Sequence, residues 1–186
     1  MAVKKSKEAT TSVYGAGPKS DAIETHTLSI MVDNEPGVLA RVIGLFSGRG
    51  YNIESLTVAE TDHAANISRI TLVSSGTPLV IEQIKNQLER LIPVHRVIDL
   101  TISGPHVSRE LALIKVTGTG EKRIEAMRTA EIFRAKVVDS SHESFIFEIT
   151  GGTDKVDAFI ELMRPLGLVN VSRTGVAAMM RGSVVL

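Results

Sequence analysis

From His26 onward the chain alternates between two hydrophobic periods. Leu28, Ile30 and Val32 alternate with Thr27, Ser29 and Met31, which predicts a strand with one apolar face. Asp33-Asn34-Glu35-Pro36-Gly37 follows as a cluster of turn and helix-start residues. Val38, Leu39, Val42, Ile43 and Phe46 then recur at helical spacing until Gly48-Arg49-Gly50. Residues 51–60 and 66–74 read as two strands around a turn at 61–65. Val80, Ile84, Leu88 and Leu91 line a second helix that Pro93 ends, and 94–102 predicts a fourth strand before the breaker Ser103-Gly104-Pro105.

The same order then recurs. Leu111, Leu113 and Lys115 alternate with Ala112, Ile114 and Val116, and Gly118-Thr119-Gly120 interrupts before a helix carrying Ile124, Met127, Ala130 and Phe133. Residues 136–139 and 144–150 form a hairpin. Val156, Phe159, Ile160 and Met163 define another helix, ended near Pro165 and Gly167, and 168–172 starts a last strand. The repeat is one of order and barely one of letters. It predicts an α+β chain of two tandem ferredoxin-like (βαββαβ) units, each an antiparallel sheet with both helices on one face. The expected divisions are a flexible tail over 1–25, a first unit over 26–104 and a second over 105–186. The tail has neither the apolar core of a secretion signal nor the Arg enrichment of an organelle transit sequence, so the expected location is cytoplasmic.

Composition narrows the function. With 21 Lys plus Arg against 21 Asp plus Glu and only seven Phe plus Tyr, there is no global field and little stacking surface for nucleic acid. An RNA-recognition domain shares the βαββαβ order, but Ile67-Ser68-Arg69-Ile70-Thr71-Leu72-Val73 offers no aromatic platform. An acylphosphatase-like enzyme would need an arginine-bearing phosphate loop after the first strand, and none is seen. The absence of Cys removes thiolate nucleophiles and thiolate metal sets. The five histidines show no close metal-ligand spacing and read as surface or turn residues. No apolar run approaches the roughly 18 residues that cross a bilayer. The expectation is a chain without a catalytic set, a metal or a cofactor of its own.

Two segments carry candidate chemistry. In Asn34-Glu35-Pro36-Gly37-Val38-Leu39, Pro36 presets a first helical turn and Gly37 removes a side chain where helix-start N–H groups are exposed. Those groups and the helix dipole suit a carboxylate, although an ordinary helix N-terminus uses the same residue types. In Gly50-Tyr51-Asn52-Ile53, the Asn52 amide can donate to a carboxylate and accept from an ammonium, or simply follow a helix stop.

The stretch from Val32 to Phe46, continued by Arg49-Gly50-Tyr51-Asn52-Ile53-Glu54-Ser55-Leu56, closely resembles the family of small, regulatory subunits of acetolactate (acetohydroxyacid) synthase, whose first domain is an ACT domain. Glu131-Ile132-Phe133-Arg134-Ala135 and Ser172-Arg173-Thr174-Gly175-Val176 extend the resemblance, which covers His26 to Gly182. It implies a large catalytic partner carrying thiamine diphosphate, Mg²⁺ and FAD, which this chain would activate and make sensitive to valine, with leucine or isoleucine as weaker effectors. The implied effector site uses Asn34, Gly37, Val38 and Leu39, with Asn52 and Ile53 from the neighbouring subunit of a homodimer. The second unit has Val116-Thr117-Gly118-Thr119-Gly120 where the first has Asn-Glu-Pro-Gly, so it is expected to serve assembly or contact with the catalytic subunit. A stand-alone ACT-type sensor acting on another enzyme or regulator is the alternative from a different class.

A unit of about 80 residues with helices on one face buries a small core and leaves a sheet face and edges open. Sedimentation at micromolar concentration should therefore give a dimer; a stable monomer would refute that argument.

Overall fold

A computed structural model describes residues 22–183, so most of the expected 1–25 tail, and residues 184–186, lie outside the described residues. The first unit is built of β1 (Glu24–Asp33), α1 (Val38–Arg49), β2 (Ser55–Asp62), β3 (Ile67–Gly76), α2 (Pro78–Leu88) and β4 (Val94–Asp99). Its antiparallel sheet runs β2-β3-β1-β4. The period-2 pattern of β1 turns Leu28, Ile30 and Val32 to one face, where they are buried against Val42 and Phe46 of α1 and Ile81, Ile84 and Leu88 of α2. Thr77 caps α2, its Oγ1 accepting the Val80 N–H at 3.4 Å, and Pro78 occupies the first helical turn.

Two expectations for this unit need correction. The strand predicted over 94–102 stops at Asp99 and is followed by a single helical turn, α3 (Leu100–Ser103). Asp99 Oδ1 accepts the Thr101 N–H at 3.0 Å and so caps that turn, while Leu100 is fully buried. Nor is His26 a surface residue: it is 4% exposed, and its Nδ1 lies 2.7 Å from Asp99 Oδ2. The partner sits 73 residues away in sequence, which is why spacing did not reveal the pair.

The second unit comprises β5 (His106–Thr117), α4 (Glu121–Phe133), β6 (Lys136–Ser140), β7 (Ser144–Gly151), α5 (Thr153–Met163), a 3-10 turn (Arg164–Leu166) and β8 (Leu168–Arg173). Its sheet order, β6-β7-β5-β8, reproduces that of the first. Ala112, Ile114 and Val116 pack with Phe147, Val156 and Phe159, and the Phe147 and Phe159 rings meet edge-on at 6.0 Å. The two ferredoxin-like units are thus present as predicted.

One strand was not anticipated. β9 (Ala177–Met180) pairs with the first four residues of β5, extending that strand well before Leu111. This two-stranded ribbon lies across part of the first sheet's helix-free face, where Val176 and Ala178 join Val73 and Leu100 in a third apolar cluster. The open face expected on the first unit is therefore partly covered by the chain itself.

Arg173 ties the ribbon's approach to the second unit. Its guanidinium makes a bidentate contact with Glu110 and a 2.6 Å contact with Asp157 Oδ1 on α5. The hydrogen bond to Glu110 is the main reason its pKa stands above the ordinary arginine value; burial opposes the shift and Asp157 adds to it. Arg173→Met would leave Glu110, with its side chain 3% exposed, without its cation. The expected loss is about 2–3 kcal/mol in urea unfolding, below that of a wholly buried pair because Arg173 is partly solvated.

Candidate functional site

The β1–α1 connection is held from two sides. The Asn34 N–H donates to the Asn66 carbonyl at 2.8 Å, and Ser68 Oγ donates to Asn34 Oδ1 at 3.0 Å. His95 Nε2 contacts Asp33 Oδ1 at 2.7 Å one residue earlier. Ser68 takes one lone pair of the Asn34 carbonyl oxygen, which leaves the second lone pair and the Nδ2 donor for a ligand.

Gly37 stands at the head of α1 with φ of +88°, a left-handed conformation, and provides no side-chain cap. The Val38 N–H is taken by the Glu35 carbonyl at 3.3 Å, and the Arg41 N–H by the Gly37 carbonyl at 3.1 Å. The Leu39 and Ala40 N–H groups find no acceptor among the described residues. Asn34 Nδ2 and this uncapped turn therefore lie in one short segment that presents donors to an anion.

The other proposed site residues divide by burial. Val38 is 4% exposed and belongs to the core, so only its backbone borders the loop. Ile53 also packs against the first core, whereas Leu39 and Asn52 are exposed. The Asn52 carbonyl accepts from Ser74 Oγ at 2.6 Å. Asn34 is thus anchored at Ser68 and Asn52 at Ser74, six residues apart on β3, or roughly 20 Å along a strand. Within one chain the two amides stand at opposite ends of the sheet and do not meet.

Sequence reasoning missed Ser68, Asn66 and the connection between units. Ser55, three residues after Asn52, accepts the Val176 N–H on Oγ at 2.9 Å. A Cβ on Gly175 would stand 2.8 Å from Ser55 Oγ and 2.9 Å from Thr57 Oγ1, and Gly175 itself has φ of +82°. The Arg173-Thr174-Gly175-Val176 motif is therefore a close-approach seam. Its spacing in sequence carries no sign of the strand it touches.

Comparison with known proteins agrees with the sequence resemblance. Residues 28–96 match the model of the AHAS small subunit-like ACT domain, and 109–182 match that of the small subunit of acetolactate synthase. The chain is 51% identical over 158 residues to a probable acetolactate synthase small subunit of Archaeoglobus fulgidus, covering 85% of this chain and 98% of that one. It is 50% identical over 160 residues to the acetolactate synthase small subunit of Aquifex aeolicus, covering 86% and 82%. The chain belongs to the acetolactate synthase small-subunit family. A crystal structure of such a subunit from Thermotoga maritima, 40% identical, superposes with a TM-score of 0.78 over 87% of this chain and 99% of that one.

Within this small-subunit fold the donor-rich loop falls in the matched ACT segment and the Gly175 seam in the matched second segment. Among the described residues, no cluster of three or more His, Asp or Glu forms a metal site, and no helix is long and apolar enough to cross a membrane. Two glycines of the loop and helix should respond in opposite directions. Gly37→Ala is expected to lower unfolding stability by about 1 kcal/mol, because alanine disfavours a left-handed backbone. Gly44→Ala, inside α1 with open space around it, should raise stability by up to about 1 kcal/mol. Denaturant midpoints of the two variants test the pair.

Proposed function

We propose that this chain is a non-catalytic regulatory subunit, which binds valine at the β1–α1 loop and modulates the thiamine-dependent large subunit of acetolactate synthase. The observation that carries the reading is the donor set at Asn34 Nδ2 and the uncapped start of α1. A small carboxylate there would meet preoriented N–H groups at the positive end of a helix dipole.

An amino-acid effector also needs an acceptor for its ammonium group. Ser68 takes one lone pair of the Asn34 carbonyl oxygen, so that amide offers the ammonium at most one further acceptor position. The exposed Asn52 amide can supply another, and because it stands at the far end of the sheet from Asn34 in the same chain, the reading draws it from a second copy. A homodimer with Asn34 of one copy facing Asn52 of the other satisfies both ends of the zwitterion. The exposed Leu39 side chain gives the isopropyl group an aliphatic neighbour.

Such a site couples binding to dimer geometry, since a ligand held by both copies favours the arrangement that brings them together. The path onward is short. Asn52 lies three residues before Ser55, the start of β2, and Ser55 is bonded to Val176, three residues after the Arg173 that grips β5 and α5. Displacing 52–57 would therefore load the seam to the second unit, which in turn is proposed to face the catalytic subunit.

The deciding experiment mixes the chain with its large subunit and follows acetolactate formation with and without valine. The expected result is a raised rate that valine lowers; no activation and no valine response would sink the reading. Failure to co-purify with the large subunit while still binding valine would point instead to a stand-alone sensor. Asn52→Ala should weaken valine about tenfold by calorimetry with the fold intact, matching one lost hydrogen bond to a charged group. Gly175→Ala should leave valine affinity within about twofold while blunting inhibition of the complex, because the altered seam lies outside the ligand site.

A further inference from the structure

Where the edge of β9 meets the helix-free face of β2 and β3 there is an open cleft of about 420 Å³. Its floor is Thr57, Ala59, Arg69 and Thr71, and its wall comes from the β5/β9 ribbon with Arg109 and Met180. The eleven residues lining it include two arginines and no Asp or Glu. Neither arginine forms an ion pair among the described residues. Arg69 is half-buried, and its Nε contacts only the weak acceptor Met31 Sδ at 3.4 Å. Arg109 Nη1 donates to the Ser108 carbonyl at 2.7 Å, and Nη2 finds no acceptor among the described residues.

We propose that this cleft binds a carboxylate carrying an apolar body and no ammonium group. Two guanidinium groups beside an otherwise apolar and hydroxyl-bearing surface complement an anion, and a guanidinium can hold a carboxylate through two parallel hydrogen bonds. Its volume falls in the range of small-molecule sites, which are mostly apolar with a few fixed polar groups. Met179 and Met180, polarizable and flexible, fit an aromatic or branched body. The absence of any carboxylate in the lining sets it apart from a site for amino acids, whose ammonium would face two positive charges without compensation. The cleft also lies on the opposite face of the sheet from α1, so it is separate from the valine site and stands whether or not that assignment holds.

The test uses the full chain with isotope-labelled methionine methyl groups and three probes sharing one ring: 3-phenylpropanoate, phenylalanine and 3-phenylpropan-1-ol. Titration with 3-phenylpropanoate should shift the Met179 and Met180 methyl resonances saturably. Phenylalanine and the alcohol should bind at least about tenfold more weakly, and Arg69→Gln and Arg109→Gln should each weaken 3-phenylpropanoate by about tenfold. Circular dichroism checks that both variants are folded. Asn34→Ala should leave this titration unchanged. No saturable shift at millimolar 3-phenylpropanoate would overturn the proposal, as would equal binding of the alcohol or of phenylalanine, or undiminished binding by a folded Arg variant. Met179 and Met180 methyls already covered by a second copy, and so insensitive to the probe, would overturn it as well.

Discussion

The hydrogen bond from the Val176 N–H to Ser55 Oγ, made where Gly175 lies against the strand, joins two units that local patterning treats as independent. Each unit has its own buried cluster and its own four-strand order, and neither order requires the other. The seam depends on the absence of a side chain at residue 175, since a Cβ there would overlap two hydroxyl oxygens and the backbone is left-handed. Arg173 fixes the same segment to Glu110 and Asp157, so the contact is held from the second unit as firmly as it is received by the first. Val176 and Ala178 then exclude water from Val73 and Leu100.

Placing the seam three residues after Asn52 has a mechanical consequence for a regulatory subunit. In the proposed dimeric site, a ligand between copies would act on a stretch already anchored to β3 through Ser74 and Val73, by bonds of 2.6 and 2.9 Å. Such a stretch shifts as a piece more readily than residue by residue, because its interior neighbours are packed. The donor end of the proposed site is likewise preset: Ser68 and Asn66 hold Asn34 in place without a ligand, which would reduce the ordering that binding imposes.

The legible parts of the fold were those with a local period. Alternation in β1 and β7 and the spacing of Val38, Val42 and Phe46 each reflect one element against one core, so neighbours in sequence sufficed. Boundaries were less legible. Residues 100–102 read as strand by pattern, but the strand ends at Asp99, whose Oδ1 caps a helical turn through the Thr101 N–H while Oδ2 meets His26. The segment Ala177–Met180 has no polar alternation and becomes a strand only because the first four residues of β5 lie beside it. In the site, Asn34, Gly37 and Asn52 stood out by residue type, whereas Ser68 is an ordinary strand serine until its hydroxyl is seen on Asn34.

The residues alone set the order of the two βαββαβ units, the repeat and, through their motifs, the small-subunit family, but not α3 or β9. These follow from interactions among residues a few positions apart, which are written in period and residue type. Long-range packing alone put Asn34 and Asn52 at opposite ends of one sheet, brought the Ser68 hydroxyl to the Asn34 carbonyl, and closed the ribbon on the first unit beside an arginine-lined cleft. Those outcomes rest on contacts across tens of residues, 121 between Ser55 and Val176, and no local pattern records which distant backbone will arrive.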